Sequence, residues 1–383
     1  MLRSIAFVLG AAGLAVAGAV AAASDAPAPA ALTVPAGFEI TRIARVGGAR
    51  ELAAAPNGDL LVGTLGNDVM IVPSADGTPG TPSVFAHLDD SPAAGVALGD
   101  GTLFIGTQFG VWRVPYAAAD ARARAAPLRI ARVRGSGASR DHVTTSVAFS
   151  RGTLFVGVGS SCNACDPDLD DTRATVQQVQ PDGSGLRAKA IHIRNPIALA
   201  VDDATGVVWA GVAGQDELEH GHPYEIFDPV TSHEGTVEYG WPACYENHRA
   251  ARAGTDCSKQ TVARVVLPAY DTPIGAAIYP LHERGAFAFP QSYAGGAFVA
   301  LHGSWHVPPV PPRVAFVPLH GDEPATPVDW NDPTTQWREF ITGFQLPDGE
   351  RVGRPTGVAV GPDGSLFIAD DEAGAIYRVR PRR

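Results

Sequence analysis

One motif recurs along this chain and narrows its fold more than any other feature. It is a short apolar strand, a glycine-bearing turn, and a second apolar strand. Copies begin at Leu52 (LAAAPNGDLLVGT), Gly95 (GVALGDGTLFIGT), Ser146 (SVAFSRGTLFVGV), Ala198 (ALAVDDATGVVWAG), Gly275 (GAAIYP, then GGAFVALHG) and Gly357 (GVAVGPDGSLFIADD). The Asn-Gly and Asp-Gly turns between alternating apolar runs are strong hairpin signals. Several copies continue into a third strand, such as Val111–Pro115, Arg313–Leu319 and Ala375–Pro381. A lone hairpin cannot bury both of its faces, so the copies must stack on one another. Six copies, spaced 43 residues at the closest and 82 at the widest, predict an all-β, six-bladed β-propeller with insertions in the fourth and fifth blades. The 43 glycines and 32 prolines suit short strands and tight turns rather than long helices.

Residues 1–23 read as a signal peptide. Arg3 supplies a positive start, Ile5 to Val20 an apolar stretch, and Ala21-Ala22-Ala23 a small-residue cleavage site. Residues 24–32 are expected to form a flexible leader and 33–383 the propeller domain. No membrane span is expected in the mature protein, and the location is read as periplasmic or secreted. The four cysteines fit that reading, and their simplest pairing is Cys162–Cys165 and Cys244–Cys257. No second CxxC accompanies the first, and no haem-attachment histidine follows it. The net charge of −11 argues against a nucleic-acid partner, which needs a basic face.

Propeller geometry says where to look for a site. The residues before each first strand and after each second strand converge at one mouth of the central channel. The segments before are 92–94, 140–144, 192–196, 270–273 and 353–355. The segments after are 107–108, 160–161, 214–217, 302–305 and 370–371. They carry histidines, arginines and carboxylates. A base beside guanidinium groups suits proton abstraction with stabilisation of an anion. Guanidiniums also suit a carboxylate-bearing ligand. The segment Glu219–Ala269, containing Cys244 and Cys257, reads as an insertion that caps the channel rim. Asp166, Asp168, Asp170 and Asp171 form an acidic loop that reads either as a second calcium site or as a solvated turn. His220, His222 and His233 lack the spacing of a zinc motif.

Several runs carry a more specific likeness. DHVTTSVAFSRGTLFVGVGSSCNAC, IRNPIALAVDDATGVVWAGVAGQDEL, Tyr239-Gly240-Trp241-Pro242, His302-Gly303-Ser304-Trp305 and GRPTGVAVGPDGSLFIADD resemble the soluble PQQ-dependent glucose and sorbosone (aldose sugar, pyranose) dehydrogenase family over roughly residues 33–381. The resemblance implies a quinoprotein using PQQ and calcium to oxidise an aldose or related sugar. It implies His142 as the base that takes the hydroxyl proton, and Arg194 with Asn195 beside the quinone. It implies Gly214 and Gln215 as backbone-carbonyl ligands of calcium, and Arg313 and Arg354 as partners of the cofactor carboxylates. His302 and Trp305 join the cofactor-binding set or pack between blades. A cytochrome or quinone would accept the electrons. Four positions depart from the family pattern: Arg313 where lysine is expected, Tyr270 for histidine, Ala93-Ala94 for a polar entry, and His306 for asparagine. The alternatives are a calcium-dependent propeller lactonase, needing carboxylate and asparagine ligands that converge on a metal, and a non-catalytic propeller that binds glycans or proteins.

Overall fold

The computed structural model describes residues 25–135, 142–306 and 308–383; the expected signal peptide and Arg140-Asp141 lie outside these. Six antiparallel sheets are arranged as a ring. Blade 1 is built from Ala49–Ala54, Leu60–Thr64, Asp68–Val72 and Ser83–His87, and blade 2 from Gly95–Gly99, Thr102–Thr107, Gly110–Pro115 and Leu128–Arg132. Blade 3 runs through Thr145–Ser150, Thr153–Val158, Thr175–Val179 and Arg187–Ile191. Blade 4 uses Pro196–Val201, Val208–Val212, Glu225–Asp228 and Val265–Leu267, and blade 5 uses Pro273–Ile278, Ala297–Leu301, Arg313–Val317 and Arg338–Ile341. The first strand of each blade touches the first strands of both neighbours, so the inner ring is closed. The one helical element among the described residues is a 3-10 turn at Gln291–Tyr293.

Blade 6 is the exception in chain order. Pro355–Val360, Leu366–Asp370 and Ala375–Pro381 supply three strands, and the fourth is Phe38–Arg45 from the other end of the chain. Its register pairs Phe38 with Pro381 and Arg45 with Ala375. Ala26–Pro27, expected within a flexible leader, pair in turn with Arg42 and Thr41 on the outer edge. Leu32 of the same stretch is buried, and Thr33 bridges to Thr342.

The blades pack through second-strand positions that leave no room for a side chain. A Cβ at Gly106 would lie 2.2 Å from the Thr145 carbonyl oxygen, and one at Gly157 would lie 1.9 Å from that of Pro196. These are the glycines of the repeated IGT and VGV runs, so the repeat records inter-blade contact as well as turn chemistry. Beyond them, aromatic side chains fill the outer wedge between blades 5 and 6. Phe38 meets Phe289, Tyr293 and Phe340 edge-on at 4.7, 5.5 and 5.4 Å between ring centroids.

The segment Glu219–Ala269 proves to be more than a capping insertion. It contains the two outer strands of blade 4, and Val237–Glu238 pair in parallel with Ala190 and Ile191 at the edge of blade 3. Within it, Cys244–Tyr245 and Arg249–Ala250 form a small hairpin, tied by the Cys244–Cys257 disulfide. The Cys162–Cys165 disulfide is also formed. No helix among the described residues is long and apolar enough to cross a membrane.

Two outcomes test this architecture. Phe38→Ala removes the anchor of the closing strand, and denaturant unfolding should show a loss of about 3–5 kcal/mol. Glu51 faces the narrow channel between the inner strands, where burial pushes its carboxyl up to about 8. The folded state therefore binds more protons than the unfolded chain between the ordinary carboxyl value and about 8, and stability falls as pH rises through that window. Glu51→Gln should flatten this slope in melts recorded from pH 5 to 8.

Candidate functional site at the channel mouth

The segments before first strands and after second strands do meet at one mouth, and their side chains bond across blades. In blade 3, His142 has a left-handed backbone, φ 48°, a conformation uncommon outside glycine. Arg134, almost fully buried, holds it there. Its Nη2 donates to the carbonyls of His142 and Thr144, both at 2.7 Å, and Nη1 donates to the Gln108 carbonyl at 2.9 Å and to Thr145 Oγ1. The His142 side chain leaves its backbone against Gly159, where a Cβ would come within 2.4 Å of the His142 Cβ.

The tautomer of His142 follows from its neighbours. Nδ1 lies 3.0 Å from both the carbonyl oxygen and Oγ of Ser160. The Ser160 hydroxyl donates to the Cys162 carbonyl at 2.7 Å, so both groups facing Nδ1 accept. Nδ1 therefore carries the proton, and Nε2 keeps the lone pair. Burial first, and then the nearby Arg194 guanidinium, push the imidazole down to about 3. The sequence suggested a base near neutrality; the structure holds the ring firmly neutral.

Arg194 is a hub rather than a free cation. Nε donates to the Asn163 carbonyl at 3.1 Å, and Nη2 to Asn163 Oδ1 at 3.0 Å and Asp216 Oδ2 at 3.3 Å. Nη1 donates to the carbonyls of Ala213 and Gly214 at 3.3 and 2.5 Å. Asn163, inside the Cys162–Cys165 loop, also receives the Trp241 indole N–H on its carbonyl at 3.1 Å and the Asp216 backbone N–H on Oδ1 at 2.8 Å. Asn195 packs beside His142 against Gly159. Its Oδ1 is buried with no hydrogen-bond partner among the described residues. Behind the Gly214–Gln215 loop stands Glu225, buried, accepting from the backbone N–H of Gly214 and of Thr272 at 2.5 and 3.2 Å.

Across the mouth lies a second cluster. His302 Nε2 bonds Asp371 Oδ1 at 3.0 Å, and burial holds this imidazole down to about 4. Arg50 reaches the same carboxylate at 2.9 Å and Thr144 Oγ1 at 3.3 Å, joining the two clusters. The Arg354 guanidinium donates to the carbonyls of His302 at 3.0 Å and Gly303 at 3.3 Å, its backbone N–H donates to Asp370 Oδ1 at 2.9 Å, and it makes no salt bridge among the described residues.

Arg313 and Trp305 stand apart from these clusters. Arg313 is one strand further out, paired with Asp271 and Glu339 at 3.1 and 3.4 Å. Trp305 is 76% exposed and stacks on His306, which stacks on Tyr270 at 3.8 Å between centroids. Two departures from the family pattern, Tyr270 and His306, thus pack on each other. The third, Ala93-Ala94, is fully buried, and its carbonyl oxygens face Gly63, which has no room for a side chain of its own.

Other expected groups are engaged locally. Asp168 accepts from the Ser161 and Leu169 backbone N–H groups, and Asp170 from Thr172. His222 pairs with Glu246 and His233 with Asp228. Among the described residues, no three His, Cys, Asp or Glu side chains converge as a metal site. Sequence reasoning missed Arg50, Arg134 and Glu225. Arg50 was findable, since it lies at the start of the first strand of blade 1, as His142 lies just ahead of that of blade 3. Arg134 and Glu225 lie in a connector and an outer strand, and no local pattern marks them.

Comparison with known proteins agrees with this architecture. Residues 224–382 match the TrAA12-like family. The sequence resemblance to the PQQ-dependent sugar dehydrogenases is thereby supported over the outer half of blade 4 and the last two blades. The PQQ domain of Coprinopsis cinerea pyranose dehydrogenase superposes with a TM-score of 0.77 at 18% identity, covering 93% of this chain and 98% of that one. The Trichoderma reesei family AA12 calcium structure gives 0.76 at 18% identity, with 95% and 98% covered. The PQQ-bound aldose sugar dehydrogenase of Streptomyces coelicolor gives 0.60 at 18% identity, with 91% and 99% covered. An uncharacterized Borreliella burgdorferi protein is 25% identical over 231 residues, 59% of this chain and 56% of that protein; the match thus spans little more than half of its length. At these identities the superpositions establish the six-bladed fold.

The electrostatics give a direct test. The His142 ring should stay neutral down to pH 5 in histidine-edited NMR of the unliganded protein. Arg194→Gln removes the adjacent positive charge and should move its titration upward.

Proposed function

We propose that the protein is a PQQ- and calcium-dependent sugar dehydrogenase whose base is His142. The observation that carries this is the neutral imidazole beside the Arg194 guanidinium, with Nδ1 committed to Ser160 and the Nε2 lone pair left available. The residues present fit the cofactor in three respects. Asn195 Oδ1 is a buried acceptor without a partner. The Arg354 guanidinium makes no salt bridge among the described residues, which leaves it able to pair with a ligand carboxylate. The Gly214 loop is held rigid by Glu225 from behind and Arg194 from the front.

Bound PQQ would supply the two-electron acceptor, with calcium polarising its carbonyl. This chain's part is narrower. His142 takes the proton of the sugar hydroxyl at Nε2, and its Nδ1–H, donated to the Ser160 carbonyl, steadies the imidazolium that forms. Arg194 orients the ring's surroundings and offers positive charge where negative charge develops. The Gly214 and Gln215 carbonyls would supply the hard oxygen ligands that calcium prefers. Arg354, with His302 beside it, would hold a cofactor carboxylate. Arg313 is a weaker candidate because Asp271 already occupies it. Carboxylates placed near Arg194 would offset its charge and raise the His142 pKa toward a useful range.

The similarity of residues 224–382 to the TrAA12-like family, and the pyranose and aldose dehydrogenases among the fold relatives, favour a sugar as substrate. An external cytochrome or quinone would take the electrons, and the disulfides suit a periplasmic or secreted location. The lactonase alternative needs converging carboxylates, which the described residues do not provide.

Metal-depleted protein should bind PQQ only with calcium added, and then reduce a dye in the presence of aldoses. His142→Ala should lower kcat at least a hundredfold with PQQ binding retained. Absence of PQQ binding would sink the reading and direct attention to lactone hydrolysis and glycan binding. Glu225→Ala should raise the calcium concentration needed for half-maximal activity, since the Gly214 loop loses its support.

A further inference from the structure

One further cation reaches the mouth from outside the runs that carry the family resemblance. Arg351 stands two residues before Gly353, where the last of those runs begins. Its Nε donates to Gln345 Oε1 at 3.3 Å, and its Nη2 donates to the Ser304 carbonyl. Arg354 takes the two preceding carbonyls, those of His302 and Gly303. Two guanidiniums are thus fastened to three consecutive carbonyls of one mouth segment.

The segment that presents both side chains is itself fixed. Gln345 and Arg351 form an antiparallel bridge, and the Val352 N–H donates to the Phe344 carbonyl at 2.8 Å. A Cβ at Gly353 would come within 2.1 Å of Asp370 Oδ2, so the chain is pressed against blade 6 there. Arg351, like Arg354, is only partly buried and makes no salt bridge among the described residues. Burial first, and then the Arg351 guanidinium, push the Arg354 pKa below the usual arginine value. The two like charges are therefore close enough to repel. Asp371 and Glu372 offset part of this, but Asp371 is already paired with Arg50 and His302. Arg313 is the opposite case, with Asp271 and Glu339 both paired to it.

We infer that Arg351 and Arg354 form a clamp for two carboxylates of one rigid ligand, with Arg351 rather than Arg313 as the second cation. Each guanidinium gives Nε and Nη2 to the protein and keeps Nη1 without a partner among the described residues. Each can therefore meet a carboxylate of its own. Separate carbonyl anchors present them as two contacts, which suits two carboxylates on a planar frame better than one small anion. Such a ligand also relieves the repulsion between the two cations. That the ligand is PQQ rests on the dehydrogenase reading; the clamp itself needs neither cofactor nor metal.

The test uses the full-length protein, freed of metal on a chelating resin so that no soluble chelator competes. Calorimetry follows titration with benzene-1,3,5-tricarboxylate, benzoate and sulfate. The expected result is saturable tricarboxylate binding, tighter than that of benzoate or sulfate, and weakened roughly tenfold by Arg351→Gln and by Arg354→Gln. Arg351→Lys keeps the charge without the fork, so it serves if Arg351→Gln does not fold, and it should recover only part of the affinity. Arg338→Gln, on the outermost strand of blade 5, removes the same charge elsewhere and should leave binding unchanged. PQQ with calcium then separates the two readings. Tricarboxylate binding that needs Arg351, without any PQQ binding, would keep the clamp and sink the dehydrogenase reading. PQQ bound as tightly by Arg351→Gln as by the wild type would keep that reading and overturn the inference. Dependence on Arg313 instead of Arg351, a preference for sulfate, or no saturable tricarboxylate binding would overturn it as well.

Discussion

The pairing of Phe38–Arg45 with Ala375–Pro381 is the constraint on which the rest of the molecule depends. It makes the last blade from both ends of the described chain and turns an open stack into a ring. A stack has two exposed end faces; a closed ring has none. The consequence reaches the mouth. Asp371 follows the second strand of blade 6, and Arg50 is the second residue of the first strand of blade 1. Their 2.9 Å ion pair therefore spans the seam that the closing strand creates. Both side chains are largely buried, and a pair in that setting is useful mainly as a positional lock, since desolvation offsets much of its attraction.

Two devices set the chemistry of the mouth. One is backbone constraint: Arg134 gathers the carbonyls of Gln108, His142 and Thr144 on one guanidinium and keeps His142 in a conformation it would otherwise leave. Such strain persists only where the surroundings over-determine it. The other is the crowd of acceptors around Arg194. Each of its donors is directed at a carbonyl or at Asn163 and Asp216, so its position is defined and its charge remains. The low His142 pKa follows from these two devices together, since the ring is buried and has a fixed cation beside it.

Much of this was legible in the sequence, and for a physical reason. The hairpin turn and the tight second-strand glycine are local requirements of every blade, so they repeat and can be read. The topology of a propeller then dictates which short segments meet, which is how His142, Arg194, Asn195, His302 and Arg354 were placed together. What stayed hidden depends on contacts distant in sequence. The closing strand Phe38–Arg45 carries no hairpin signal because its partner is more than 300 residues away. Glu225 reads as an ordinary residue until the fold shows the Gly214 and Thr272 N–H groups it faces. Arg313 matched a family position, but its guanidinium is turned to Asp271, a preference that no motif expresses. Tyr270 and His306, each unusual alone, make sense only as a stacked pair.

The Cys162–Cys165 loop sets the order in which the mouth can be finished. Asn163 sits between those sulfurs and serves Arg194, Trp241 and Asp216 at once. While the two cysteines remain thiols, the residue on which these three converge is held by noncovalent contacts alone. Oxidation of this one short loop then supplies the missing tether. The compartment that delivers the oxidant thus also sets when the arginine hub becomes rigid, and a chain retained among reducing thiols would keep its six blades while its mouth stayed loose.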